Sequence, residues 1–292
     1  MTRTIVITGA NRGIGYAVVR ALAERPDAAS LRVVMVCRDP VSGARARDEL
    51  ARSSQAELLL VTGALDNLRA IRETADKLDG ACPRIDVLIH NAGIWPAQRK
   101  LNEDGLEQAF VVNHLAPFML NRRLESKLAQ SNARIVQVSA GIYVKGKVDL
   151  ARTPTGEDFS ALTTYANTKL CNLLLLAHFA ERFRPLGVTI NAVHPGVIRT
   201  GLGDRKDAVG LLLKLAKRFW KAPEEAAPPI LRLALDPALA ATSGSYFDGQ
   251  IEQALLPHAR DPEQAEALWR QAETLTALRD AAHTSDGTHS AR

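Results

Sequence analysis

Short runs of aliphatic and β-branched residues recur along the chain, separated by amphipathic stretches. The runs "TIVITGA" (4–10), "LRVVMVCR" (31–38), "AELLLVTG" (56–63) and "RIDVLIHNAG" (84–93) are nearly continuous in apolar residues and bounded by glycine or polar residues. That is the pattern of strands buried on both faces. "ARIVQVSA" (133–140) and "GVTINAVHPG" (187–196) continue the series, and "GSYFDG" (244–249) adds a seventh strand at the edge. Between them, helical spacing predicts helices over 15–25, 42–54, 68–78 and 163–184. Residues 107–128 read as one long helix bent at Pro117. This alternation predicts an α/β fold: one doubly wound parallel sheet of about seven strands, with helices on both faces. No linker dense in Pro, Gly or Ser interrupts it, so one domain is expected over 1–279. The polar, small-residue tail 280–292 is expected to be disordered.

Composition narrows the function classes. The net charge is +5 without a run of five like charges, which argues against nucleic-acid binding. Cys37, Cys82 and Cys171 lie far apart, so neither a disulfide framework nor a metal site is expected. No charged leader precedes the first strand, and the longest central apolar run, "LLLLAHFA", is too short to span a bilayer. A cytoplasmic protein is the expectation.

The first strand runs into "TGANRGIG", and a helix follows. Gly9, Gly13 and Gly15 do not follow the G-x-G-x-x-G spacing, but the mechanics are shared. Glycine turns the chain tightly and brings backbone N–H groups, with Asn11, Arg12 and Ile14 among them, to a pyrophosphate at a helix N-terminus. At the end of the second strand, where an NAD site carries a carboxylate, stand Cys37 and Arg38. Arg38 and Arg12 suit a 2′-phosphate, which favours NADP(H) over NAD(H). Asp39 beside them could still serve a ribose hydroxyl.

With those residues placed, the chain resembles the short-chain dehydrogenase/reductase family over nearly its whole length. The carriers are "TGANRGIG" (8–15), "NAG" (91–93), "VNHLAPF" (112–118), Ser139 in "VQVSAG", "YANTK" (165–169) and "HPGVIRT" (194–200). "MVCRDP", "KAPEEAA", "SGSYFDG" and the closing "LWRQAETLTAL" resemble the retinol-dehydrogenase-like branch, as does the insert "VKGKVDLARTPTGEDFSALTT" between Ser139 and Tyr165. The resemblance implies a Rossmann-type fold and a tetrad of Asn113, Ser139, Tyr165 and Lys169. It also implies cofactor contacts at Asn91, Ala92, Gly93, Pro195, Gly196 and Thr200. The family's aspartate near the adenine is replaced by Ala64, so backbone groups near Leu65 are expected there instead.

The chemistry of these side chains points the same way. A carbonyl that accepts hydride needs a proton donor and a hydrogen bond aimed at its oxygen. Tyr165 is the acid, and Lys169, one helical turn on, is expected to lower its pKa and to bond the cofactor ribose. Ser139, at a strand end, holds the substrate oxygen. The Asn113 side-chain amide is expected to hold a water that relays protons to Lys169. His194 reads as a packed strand residue.

Lys214, Lys217, Arg218 and Lys221 share one face of a helix over 209–221, opposite Leu212 and Phe219. This segment, near 203–222, is expected to be a lid over an apolar substrate. Plain packing and membrane-surface attachment are the competing readings. Trp95, Tyr143, Leu212 and Phe219 are the candidate substrate residues. The helix "LCNLLLLAHF" has more apolar residues than one buried face needs, which suggests either a homodimer or burial within the monomer. The function expected is an NADP(H)-dependent oxidoreductase acting on a hydrophobic ketone, aldehyde or alcohol. Two other readings remain open: a non-redox enzyme of this fold, and an NADP-binding sensor or scaffold without turnover.

Overall fold

The computed structural model describes residues 2–199 and 220–278. Among them eight strands form one sheet: β1 (Arg3–Thr8), β2 (Leu31–Cys37), β3 (Glu57–Thr62), β4 (Val87–His90), β5 (Arg134–Val138), β6 (Thr189–His194), β7 (Tyr246–Asp248) and β8 (Ile251–Gln253). Their order is β3-β2-β1-β4-β5-β6-β7-β8. The first seven run parallel, and β8 returns antiparallel along β7. The sheet therefore has one strand more than expected, and "GSYFDG" is not its edge. All three residues of β8 are exposed, so "IEQ" carries none of the apolar signal that marks a strand.

The helices are α1 (Gly13–Ala23), α2 (Pro40–Ala51), α3 (Leu68–Ala81), α4 (Gln108–Phe110), α5 (Ala116–Arg123), α6 (Glu125–Ala129), α7 (Ala161–Leu174), α8 (Leu176–Phe183), α9 (Ala227–Leu235) and α10 (Pro262–Thr276). Alternate residues of each inner strand point to opposite faces. Ile5, Ile7, Val33 and Met35 meet Val18, Leu22, Leu50 and Ile230 from α1, α2 and α9. Val6, Val34 and Leu88 meet Ile71, Leu78, Phe118 and Phe183 from α3, α5 and α8. Both faces are covered, which is why the strands read as continuous apolar runs.

The expected long helix over 107–128 is irregular where its proline lies. α4 passes into a π-helical turn, Val111–Leu115, before α5 begins. Pro117 follows that turn directly, and because it has no N–H to offer the preceding turn, the Asn113 carbonyl is left to accept from the Asn172 side chain. The expected helix 163–184 divides into α7 and α8 at Leu175. The surplus apolar surface of this pair is covered within the chain by α10. There Trp269 meets Phe118 and Phe179 edge-on, at ring-centroid distances of 5.1 and 4.8 Å. Among the described residues no helix is long and apolar enough to cross a membrane.

The strand order reverses between β1 and its neighbours β2 and β4. In such sheets the crevice outside the carboxyl ends of the strands at that switch is where ligands bind.

Candidate active site

A cavity of about 680 Å³ opens at this switch point, and its lining runs from the glycine loop to Tyr165 and Lys169. Gly9 has φ +68°, a left-handed conformation, and Gly15 packs against the loop itself. A Cβ on Gly15 would lie 2.3 Å from the Gly9 carbonyl oxygen and 2.6 Å from Asn91 Nδ2. Asn91 ties the turn after β4 to the loop, since its Nδ2 donates to the carbonyls of Thr8 (2.9 Å) and Gly9 (3.1 Å). The backbone N–H groups of Asn91 and Ala92 donate to Thr8 Oγ1. α2, α3 and α7 are capped by the side chains of Asp39, Asn67 and Ser160. No side chain caps α1, whose N-terminus borders the cavity. Its first N–H groups are thus left for an anion, which fits a dinucleotide pyrophosphate.

At the other end of this half, Arg12, Arg38, Asp39, Ser42, Leu65 and Asp66 line the cavity. Arg38 is largely exposed and lies 3.8 Å from Asp66. The Asp39 carboxylate accepts from the Ser42 backbone N–H at 2.6 Å, and the Ser42 bonds hold its pKa below the usual range. Ser42 escaped the sequence reading. It accepts from Asn11 Nδ2 at 2.9 Å, which joins the glycine loop to α2.

Ser139 directly follows β5, and its backbone N–H donates to Val193 O at 2.7 Å. Its hydroxyl is buried and has no hydrogen-bond partner among the described residues. Lys169 is buried and donates from Nζ to Val138 O at 3.0 Å. Its Nζ sits 5.6 Å from the centre of the Tyr165 ring. Burial lowers the Lys169 pKa to about 8 and raises that of Tyr165 far above its ordinary value. Burial thus works against the expected lowering of Tyr165 by Lys169. Removing the phenolate from water outweighs a cation that stands over the ring.

Asn113 is held differently from the water-carrying role expected of its side chain. Its Nδ2 donates to Ile94 O (2.9 Å) and to Thr168 Oγ1 (3.0 Å). Its Oδ1 accepts from Ile94 N (2.8 Å), so both amide hydrogens are committed. The Asn113 carbonyl accepts from Asn172 Nδ2 at 2.7 Å. Asn113 itself does not line the cavity but touches its wall, since a Cβ on Gly93 would lie 3.4 Å from Oδ1.

Of the candidate substrate residues, Trp95 lines the cavity and stacks on Tyr165 at 5.2 Å and 18°. Tyr143 does not line it. The 3-10 turn Gly141–Lys145 turns its ring into the core, edge-on to Tyr246, with the hydroxyl accepting from Leu256 N. Leu212, Phe219 and Thr200 lie outside the described residues, as does the expected lid up to Phe219; its end, Trp220 to Ala222, is not helical, because Lys221 pairs with Ile198 in a parallel bridge. Pro195 and Gly196 do line the cavity, and so do Ile142, Leu162, Val197 and Trp220, which motif reading missed. His194 also borders it, with Nδ1 buried and unpartnered among the described residues. Its pKa is lowered mainly by burial.

The short chain dehydrogenase family model matches residues 3–208. The chain belongs to that family, and with it to the oxidoreductases. It is 34% identical to human retinol dehydrogenase 14 over 94% of this chain and 87% of that one. It is 35% identical to human retinol dehydrogenase 13, over 94% and 85%. An uncharacterized protein from Mycobacterium Paratuberculosis has a similar crystal structure, with TM-score 0.71 and 27% identity over 94% of this chain and 93% of that one. The family's nicotinamide dinucleotide fits this cavity on the chain's own features: an uncapped α1, a glycine loop without side-chain bulk, and a buried serine hydroxyl at its far end.

Proposed function

We propose that this oxidoreductase reduces apolar aldehydes or ketones with NADPH, or oxidises the corresponding alcohols with NADP+. The observation that carries the reading is one continuous cavity holding the glycine loop, Ser139, Tyr165 and Lys169.

Gly9 to Ile14 and the N-terminus of α1 would hold the pyrophosphate, Asn91 to Gly93 the adenosine ribose, and Pro195 and Gly196 the nicotinamide. Bound there, NADPH supplies the hydride. Ser139 donates its unpartnered hydroxyl to the substrate oxygen, and Tyr165 passes its phenolic proton to that oxygen as it becomes an alkoxide. Among the described residues Lys169 donates one hydrogen bond, so two N–H donors are left for ribose hydroxyls and for the charge that develops on Tyr165. Arg12 and Arg38 favour a 2′-phosphate, and the commitment of Asp39 to the α2 cap weakens the case for a ribose hydroxyl there. Trp95, Ile142, Leu162, Val197 and Trp220 make the substrate side apolar. The retinol dehydrogenases among the relatives bear a name that fits an apolar alcohol.

The test follows cofactor absorbance at 340 nm with NADPH or NADH and a panel of apolar aldehydes, ketones and alcohols. Wild-type turnover is expected, with loss of about a thousandfold or more in Tyr165→Phe. Arg38→Ala is expected to raise KM for NADPH by about tenfold to a hundredfold and leave that for NADH nearly unchanged. Full activity in a folded Tyr165→Phe protein would sink the mechanism. Cofactor binding without turnover across the panel would favour the sensor reading, and substrate conversion without net cofactor change the non-redox one.

A further inference from the structure

Trp95 grips the turn of helix that carries Tyr165 in two ways. Its indole lies nearly parallel to the phenol ring, with 5.2 Å between centroids and 18° between planes. Its Nε1–H donates to the Ala161 carbonyl at 2.7 Å. Ala161 is the first residue of α7, one turn before Tyr165.

The residue before Trp95 is fixed as firmly. Both the N–H and the carbonyl of Ile94 are bonded to the Asn113 side chain, at 2.8 and 2.9 Å. The same side chain donates to Thr168 Oγ1 at 3.0 Å, and that hydroxyl donates to the Tyr165 carbonyl at 2.8 Å. The contacts close a circuit: Tyr165, Thr168, Asn113, Ile94, Trp95 and back to Tyr165. Two of its members, Tyr165 and Asn113, are among the expected tetrad, and Trp95 is the only side chain in it that covers the phenol ring.

We propose that Trp95 is a positioning residue for Tyr165: its indole sets the plane of the phenol and keeps water from it, and Asn113 acts on the reaction by holding Trp95 in place. This rests on the oxidoreductase reading above for its effect on turnover, but not for its effect on the phenol. Offset stacking contributes roughly 0.5–1.5 kcal/mol beyond buried area, enough to bias a ring with two side-chain torsions. A proton donor displaced by about 1 Å can lose about a hundredfold in rate. The buried state of Tyr165, whose pKa burial raises, is the state a covering indole maintains.

The experiment has two readouts on Trp95→Ala, Trp95→Phe and Trp95→Leu, each checked for folding by thermal melting. The first is phenolate absorbance at about 295 nm from about pH 8 to about pH 11 in cofactor-free protein, with Tyr165→Phe partners to assign the signal. Wild type is expected to show no Tyr165 phenolate in that window. Trp95→Ala and Trp95→Leu are expected to show it, and Trp95→Phe, which keeps a stacked ring, to resemble wild type. The second readout is turnover. A fall in kcat of about tenfold to a hundredfold is expected in the alanine and leucine variants, with KM for the cofactor unchanged and recovery in Trp95→Phe. A folded Trp95→Leu protein that matches wild type in both readouts overturns the proposal, whether or not Trp95→Ala folds. If wild type turns nothing over, the titration decides alone. A phenolate shift then supports the hold on Tyr165 while the oxidoreductase mechanism fails, and its absence overturns both.

Discussion

Lys169 is a cation the fold has taken out of water, with a single hydrogen bond among the described residues. Its pKa falls from 10.5 to about 8 through burial. The sign of the consequence for stability follows from proton counts. Below about pH 8 the lysine is charged both folded and unfolded, and the fold bears the full desolvation penalty. From there to 10.5 the folded form is neutral while the unfolded one still binds a proton, so stability rises with pH. Lys169→Met should therefore raise the unfolding free energy at neutral pH by about 3 kcal/mol, a gain that fades between those two pH values. Urea titrations of both proteins at about pH 7 and about pH 10 measure it, and equal stabilities at the lower pH would refute it. The same lysine should shape catalysis in the opposite sense. Reduction needs its charge opposite the nascent phenolate, so kcat/KM for the cofactor should fall about tenfold per unit above about pH 8. A stabilised but inactive Lys169→Met protein is what a strained functional residue predicts.

At the scale of elements, α10 shows how a segment far from the chemistry holds the site's scaffold. Asp261 caps it by accepting from Glu263 N and Gln264 N, and Ala277 closes it in a left-handed conformation at φ 56°. Its buried stripe includes Leu268, Trp269 and Ala272. Trp269 packs edge-on against Phe118 of α5 and Phe179 of α8, with the Arg122 guanidinium 5.5 Å above its ring. Arg122 and Glu273, both buried, pair at 2.9 Å. Trp269→Ala should cost about 3–5 kcal/mol of stability, while the folded protein keeps its kcat because the residue does not line the cavity. Denaturant midpoints and turnover on one preparation test both halves, and a large loss of kcat in fully folded protein would contradict the second. The legibility of elements follows the same physics. Inner strands such as β1 and β2 declare themselves because both faces are buried, and exposed β8 does not. The π-helical turn at Val111–Leu115 was illegible, since one extra residue in a turn leaves the apolar pattern of "VVNHL" unchanged. Gly9, Ser139, Tyr165 and Lys169 were legible because their chemistry is tied to strand ends and one helical turn. Tyr143 misled because closeness in sequence to Ser139 says nothing of which way a 3-10 turn faces. Trp95 could be named as a pocket residue, but its stack on Tyr165 depends on a loop and a helix 66 residues apart.

Across the whole molecule, the helical layer built on α5 and α7 encloses two histidines that the proposed reaction does not use. His90 ends β4 and shares a 2.7 Å hydrogen bond with Asn121. His114, on the π-helical turn, shares one of 3.0 Å with Asn172, whose amide in turn donates to the Asn113 carbonyl at 2.7 Å. Each amide bond favours the charged imidazole, but burial outweighs it and lowers both pKa values to about 4. In the unfolded chain both titrate near 6.5, so between 6.5 and about 4 the unfolded state binds the extra protons. Stability is therefore fully present above pH 6.5 and drains away as the pH falls towards 4, by about 3 kcal/mol for each histidine. Glu107 works against this trend. Burial raises its pKa, so the folded state holds a carboxyl proton that the unfolded state has released, and acidification favours the fold there. One carboxyl against these two imidazoles, with His194 lowered in the same sense, leaves the histidines dominant. Urea unfolding at intervals from about pH 7.5 to about pH 4.5 should show a falling free energy, with a slope approaching two protons in the middle of the range. A His90→Gln/His114→Gln protein, with neutral side chains that still hydrogen-bond, should give a much flatter profile. An equally steep loss in the double variant would place the acid sensitivity in other groups, His194 and the surface carboxylates.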